Sequence, residues 1–125
     1  MSEIVKHNQS AEDYLESILL LSKKSSEVHR INVAKDLGVS GAAVNKAVKI
    51  LVEKGYVYED GKHLRLTTEG KKYAEEVFER HCILREFLIK LGVGEATAEA
   101  DACRMEHLIT DETFAAIKAY VEKKS

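Results

Sequence analysis

The chain has 125 residues, of which 45% are hydrophobic and 32% charged, and its formal net charge is −2. This size allows one compact unit or two half-domains sharing a core, and the balance of apolar and charged residues excludes extended disorder. No apolar run approaches the roughly 20 residues that span a bilayer, and residues 1–9 lack the apolar stretch of a signal peptide, so the sequence points to the cytoplasm and away from any membrane.

Ser10 is placed to cap a first helix over residues 11–24, in which Tyr14, Leu15, Ile18, Leu19 and Leu21 recur with helical spacing. After a polar loop, Ile31, Val33, Ala34 and Leu37 predict a short second helix stopped at Gly38. Ser40 then caps a third helix with Val44, Val48, Leu51 and Val52 on its apolar side, ended by Gly55. Two helices joined by a tight turn containing glycine, the second amphipathic, read as a helix-turn-helix. The β-prone segments Tyr56-Val57-Tyr58 and His63-Leu64-Arg65-Leu66 flank Asp60-Gly61, a hairpin signal, and a hairpin at this point is a wing.

Thr67 or Thr68 caps a long fourth helix ending near Leu91, with a stripe of Tyr73, Val77, Phe78, Ile83, Leu84, Phe87 and Leu88, and Gly92 closes it. A fifth helix is predicted over residues 96–109 and a sixth over 111–122, capped by Thr110. The fold class is therefore mainly α with a small β-hairpin wing: a winged helix-turn-helix followed by a helical region.

Charge divides along the chain. Residues 41–72 carry seven bases against four acids, whereas residues 73–112 carry ten acids against four bases. One part can face phosphates while the other gathers cations. In a winged helix-turn-helix the second motif helix enters the major groove and the wing lies on the backbone. The small residues Gly41, Ala42 and Ala43 allow close approach to base edges, Asn45 can pair with adenine, and Lys46 and Lys49 can reach phosphates or guanine. Ser40 can bond a phosphate from the helix N-terminus, and Lys62, His63 and Arg65 on the wing add positioning contacts. The plainer reading is a protein-interaction module with ordinary solvated lysines.

Cys103, Glu106 and His107 stand at i, i+3 and i+4 on the fifth helix, so they project from one face and can take a divalent first-row metal from one side. Asp13 and Glu16 on the first helix and His81 on the fourth can complete the shell. Each has a duller alternative: Asp13 as part of a helix cap, His81 as a core histidine, Cys103 as a small buried hydrophobe, Glu106 as a partner of Arg104. In a reducing compartment the two cysteines, Cys82 and Cys103, read as a free thiol and a candidate ligand, not as a disulfide.

Four segments carry a family resemblance: "AEDYLESILLL", "INVAKDLGVSGAAVNKAVKILVEKGYV", "LRLTTEGKKYAEEVFERHCILREFL" and "EADACRMEHLITDET", with "ACRMEH" the most specific. Together they resemble the diphtheria toxin repressor family of metal-activated repressors, which includes iron-dependent members and shorter manganese transport regulators. The resemblance implies a DNA-binding domain over residues 1–72 and a dimerisation and metal-binding domain over 73–125, in the short form without the SH3-like domain. It implies a homodimer that binds a pseudo-palindromic operator when loaded with metal and controls metal homeostasis genes, with no small-molecule substrate. Asp13 and Glu16 match the manganese branch, and His81 matches a ligand position of both. Cys103 stands where a manganese regulator carries Glu, Arg85 where iron-type members offer a second-site carboxylate, and Glu99 where they carry a histidine. A thiolate favours softer ions than Mn²⁺, so Fe²⁺ is expected first and Mn²⁺ next. Two rivals follow from the same residues: a repressor of the multiple-antibiotic-resistance type sensing a small molecule or oxidant through Cys82 or Cys103, and a metal-dependent hydrolase.

Overall fold

The computed structural model describes residues 11–124. Among them, six helices and one antiparallel hairpin follow in the order α1 (Ala11–Lys24), α2 (Arg30–Leu37), α3 (Gly41–Glu53), β1 (Val57–Asp60), β2 (His63–Leu66), α4 (Thr68–Lys90), α5 (Glu95–Met105) and α6 (Asp111–Lys124). This is the mainly helical architecture with a wing expected from the sequence; the Ser10 cap lies outside the described residues. The chain divides into two compact units, residues 1–75 and 76–125. No helix among the described residues is long and apolar enough to cross a membrane.

In the first unit α1 packs on α2, α3 and β2, and α3 packs on β1. Leu15, Ile18, Val33, Val44, Val48, Leu51, Val57 and Leu64 form the core, each 2% exposed or less, and burial of each such side chain contributes about 1.5–3 kcal/mol. Gly38 takes the left-handed conformation (φ 67°) and sends its N–H back to the Ala34 carbonyl, ending α2. Two residues later Ser40 opens α3, its Oγ accepting from the Ala43 N–H at 3.1 Å. Val52, placed on the apolar side from sequence, is 38% exposed at the edge of that stripe.

The hairpin pairs Val57 with Leu66 and Asp60 with His63, so Asp60 belongs to β1 and the loop is Gly61-Lys62. Gly61 alone has positive φ (62°) in that loop, as a two-residue turn led by glycine requires. The wing is fastened at its base by the Leu64 N–H donating to the Val28 carbonyl (2.8 Å), the Arg30–Glu59 ion pair (2.9 Å) and Arg65 Nη1 donating to the Ser26 carbonyl (2.9 Å). Thr67 caps α4, its Oγ1 accepting from the Gly70 N–H at 2.9 Å.

In the second unit the buried row of α4 is Val77, His81 and Leu84, and Ala98 and Ala102 of α5 and Val121 of α6 are buried as well. The row is narrower than the sequence suggested, because Phe78, Ile83, Phe87 and Leu88 flank it half-buried. A histidine thus holds a core position. α5 ends at Met105, not near Ile109. The chain must enter α6 within five residues, so the end of α5 tightens: the His107 N–H reaches the Arg104 carbonyl and the Leu108 N–H the Met105 carbonyl. Thr110 Oγ1 then accepts from the Thr113 N–H at 3.2 Å and opens α6.

Candidate metal centre and nucleic-acid interface

On α3 the buried Val44, Val48 and Leu51 turn Asn45, Lys46 and Lys49 to solvent. Gly41 and Ala42 are exposed at the N-terminus of the helix, Ala43 is half-buried, and a Cβ added at Gly41 would meet nothing within 4 Å. The exposed face therefore offers two cations, one amide and a slim leading edge. On the wing Lys62 is exposed, while Arg65 is engaged by Asp60 at 2.9 Å and by the Ser26 carbonyl. Its guanidinium positions the wing. His63 sits half-buried, its ring edge-on to His29.

Asp13 and Glu16 lie one turn apart on α1, 5% and 9% exposed. Burial, then the charge of Asp13, push the Tyr14 hydroxyl above its usual 10.0. Two carboxylates at i and i+3 share one face of the helix, where like charges repel unless a cation or proton offsets them.

The second unit assembles a tighter cluster. His81 of α4 bonds through Nδ1 to Glu106 Oε1 and through Nε2 to Glu99 Oε2, both at 2.9 Å. The Cys103 side chain and the Glu106 carboxylate, both hydrogen-bonded to the ring, push the His81 imidazolium up from 6.5 to about 11; the charges of Glu106 and Glu99 add to this and burial opposes it. Glu106, at the C-cap of α5, has no exposed side-chain surface, and His107 Nε2 lies 3.4 Å from its second oxygen. That oxygen accepts no hydrogen bond among the described residues.

Cys103 and Glu106 both reach the His81 ring, although α5 ends at Met105 with Glu106 as its C-cap, its N–H still bonded to the Ala102 carbonyl. Cys103 is exposed on α5, Glu106 is buried, and His107 sits half-buried in the turn that follows. Arg80 fixes that turn, with Nη2 donating to the Ile109 carbonyl (2.6 Å), Nη1 to Asp111 (3.0 Å) and its guanidinium 5.0 Å from the Phe114 ring centre.

A divalent ion fits this chemistry. Imidazole nitrogen, carboxylate oxygen and thiol sulfur are the donors that first-row metals take, and a buried carboxylate oxygen without a hydrogen bond is an acceptor awaiting a partner. Arg85 and Glu99, the two departures from the second site of the iron-type pattern, pair with each other: Arg85 Nε lies 3.1 Å from Glu99 Oε1, while the other Glu99 oxygen holds His81. Sequence reasoning singled out both residues and missed the pair. The matched opposite charges at two odd positions were the available signal.

A winged reader followed by a helical unit rich in metal-ligand residues defines the class of metal-responsive transcriptional regulators. Comparison with known proteins agrees. Residues 6–64 match the "Iron dependent repressor, N-terminal DNA binding domain" and residues 67–124 the "Iron dependent repressor, metal binding and dimerisation domain". The chain is 36% identical over 119 residues to an uncharacterized HTH-type transcriptional regulator of Methanocaldococcus jannaschii, covering 93% of this chain and 95% of that protein. It is 37% identical over 113 residues to the transcriptional regulator MntR of Escherichia coli O157:H7, covering 90% of this chain and 73% of MntR. Among solved structures, a manganese-dependent transcriptional repressor in complex with manganese superposes with a TM-score of 0.81 at 28% identity, covering 90% of this chain and 53% of that one. The manganese regulator SloR superposes with a TM-score of 0.84 at 24% identity, covering 93% and 55%.

The chain belongs to the diphtheria toxin repressor family of metal-dependent transcriptional repressors. Members of this family are regulators of transcription, which sets aside the hydrolase reading.

Proposed function

We propose that the chain is a repressor that binds a pseudo-palindromic operator as a homodimer when loaded with Fe²⁺, or next Mn²⁺, and so controls metal homeostasis genes in the cytoplasm. Residues 1–72 form the DNA-binding domain and residues 73–125 the metal-binding and dimerisation domain. Asp13, Glu16, His81, Cys103, Glu106 and His107 hold the ion, and Ser40, Gly41, Ala42, Ala43, Asn45, Lys46, Lys49, Lys62, His63 and Arg65 form the surface presented to DNA. The ion supplies positive charge that offsets repulsion among the carboxylates. His81 gives up its proton on loading, and Glu99, anchored by Arg85, keeps the ring oriented in the manner of a carboxylate behind a ligand histidine.

The observation that carries this reading is Glu106: a fully buried carboxylate with one oxygen on His81 and the other free of hydrogen bonds beside His107. Softness supports iron over manganese, because Cys103 adds a sulfur donor to a set of nitrogen and oxygen donors. A ligand shifts an equilibrium only by binding one state better, so metal must change affinity for DNA measurably. Mobility-shift titration of a duplex selected from a random pool, under anaerobic Fe²⁺ and then with chelator, should show at least a tenfold loss on chelation, about 1.4 kcal/mol. Equal affinity in both conditions overturns the reading.

A further inference from the structure

A separate set of ligand-type side chains lies in the first unit. Glu27 in the loop after α1, His29 at the N-cap of α2 and His63 at the start of β2 each offer one donor atom, and the three atoms lie within 4.8 Å of one another. The convergence is built by the backbone. Leu64 donates its N–H to the Val28 carbonyl at 2.8 Å, and both residues are core, 1% and 2% exposed. Glu27 and His29 flank Val28 in the chain, and His63 precedes Leu64, so this bond brings three ligands to one place. The His29 N–H is held by Asn32 Oδ1 at 2.8 Å, and the two imidazoles meet edge to face with centres 4.8 Å apart.

We propose that Glu27, His29 and His63 form a second divalent-metal site, at the base of the wing, that takes ions of the Zn²⁺, Co²⁺ and Ni²⁺ class. Two imidazoles and one carboxylate make a ligand set suited to those ions, whereas Mn²⁺ and Mg²⁺ prefer oxygen-rich shells. Metal bonds of about 2.0–2.2 Å place tetrahedral ligands roughly 3.4 Å apart. Glu27 is exposed and both imidazoles are half-exposed, so their rotation closes the remaining gap while Val28 and Leu64 stay in the core. Three protein donors leave a coordination position open to water. An ion held there joins the wing to the α1–α2 loop by coordination, beside the Arg30–Glu59 and Arg65–Ser26 links that already fasten it.

The test is a Zn²⁺ titration of the full chain by competition with a chromogenic chelator, comparing wild type, the double variant H29Q/H63Q and the double variant E106Q/H107Q. H29Q/H63Q should bind one Zn²⁺ fewer per subunit than wild type while its Mn²⁺ stoichiometry is unchanged, and E106Q/H107Q should keep the wing ion. Equal Zn²⁺ stoichiometry in wild type and H29Q/H63Q overturns the proposal without touching the reading of the Glu106 centre. Should H29Q/H63Q fail to fold, nitrogen-15 spectra of imidazoles in the wild type decide the matter. Coordination shifts at both His29 and His63 on adding Zn²⁺ support the site, and unchanged resonances at either overturn it.

Discussion

Gly70 lies in the first turn of α4, where helix propensity alone makes alanine the better residue: in a helix interior alanine is favoured over glycine by about 1 kcal/mol. The structure reverses that expectation. A Cβ on Gly70 would stand 1.9 Å from the Tyr56 carbonyl oxygen, 2.7 Å from its carbon and 3.0 Å from its Cα. Ordinary carbon–oxygen contacts lie near 3.3 Å, so one backbone must move by on the order of 1 Å. Neither is free to move. The Tyr56 carbonyl accepts from the Thr67 N–H at 3.0 Å, the Tyr56 N–H donates to the Leu51 carbonyl at 3.0 Å, and Thr67 in turn donates its hydroxyl to the Gly55 carbonyl and caps α4.

Overpacking of this kind costs about 1–3 kcal/mol or more, beyond what alanine returns in helix propensity. Gly70→Ala should therefore destabilise the protein by about 2 kcal/mol, which lowers the urea midpoint by roughly 1 M for an m-value near 2 kcal/mol/M. Gly41→Ala is the control, since its Cβ meets nothing within 4 Å. Urea unfolding of both variants with chelator present checks the pair. A Gly70→Ala midpoint equal to or above that of wild type would refute the idea that this glycine admits the backbone of Tyr56.

Other outcomes follow from the same geometry. Gly41→Ala should keep its stability yet bind selected DNA more weakly, because a methyl on the leading edge of α3 stands between helix and bases; mobility-shift titration beside the unfolding curve reads both. Replacing Lys46 and Lys49 with Ala should make the salt dependence of DNA binding shallower by about 1.8 in log–log slope, about 0.9 for each phosphate no longer neutralised. The His81 pKa near 11 keeps its imidazolium protonated across pH 6–8 in the metal-free protein, so loading must release at least one proton. Apparent metal affinity should then rise at least tenfold per pH unit in that window; calorimetry in buffers of different ionisation enthalpy counts the proton, and a flat profile contradicts the assignment. The sign for folding is the opposite: the raised pKa gives stability that is complete below 6.5 and is lost as pH climbs through about 11. Cys103→Glu should shift the metal ranking toward Mn²⁺ in competition titrations by replacing sulfur with oxygen.

Much of the fold is legible in the sequence because its signals are local. Gly38 ends α2, Ser40 opens α3, Thr67 opens α4 and Thr110 opens α6, each by a bond spanning a few residues. The apolar spacing of α1 and α3 likewise names most of the first core. What escapes depends on interactions distant in sequence. The early end of α5 follows from the turn into α6 that Arg80 clamps from α4. The pairing of Arg85 with Glu99 and the meeting of Glu27 and His29 with His63 leave no periodic trace, because each joins separate elements. His81 is identifiable as a ligand type, but its place in the buried row of α4 is a matter of packing, and the apolar stripe read from sequence passes it over.

The Arg85–Glu99 pair changes how His81 should be understood. Glu99 divides its oxygens between Arg85 Nε and His81 Nε2, while Glu106 engages His81 Nδ1. Two carboxylates therefore face two cations, the Arg85 guanidinium and the His81 imidazolium, and the charges balance. Only one of those cations can leave: the guanidinium is permanently charged, whereas the imidazolium can surrender a proton. With His81 in its proposed role as a ligand, a proton kept on Nε2 for Glu99 leaves Nδ1, on the side of Glu106, for the ion. In that proposed role Glu99 would set the tautomer of His81, with Arg85 as the counter-charge that holds Glu99 beside the ring.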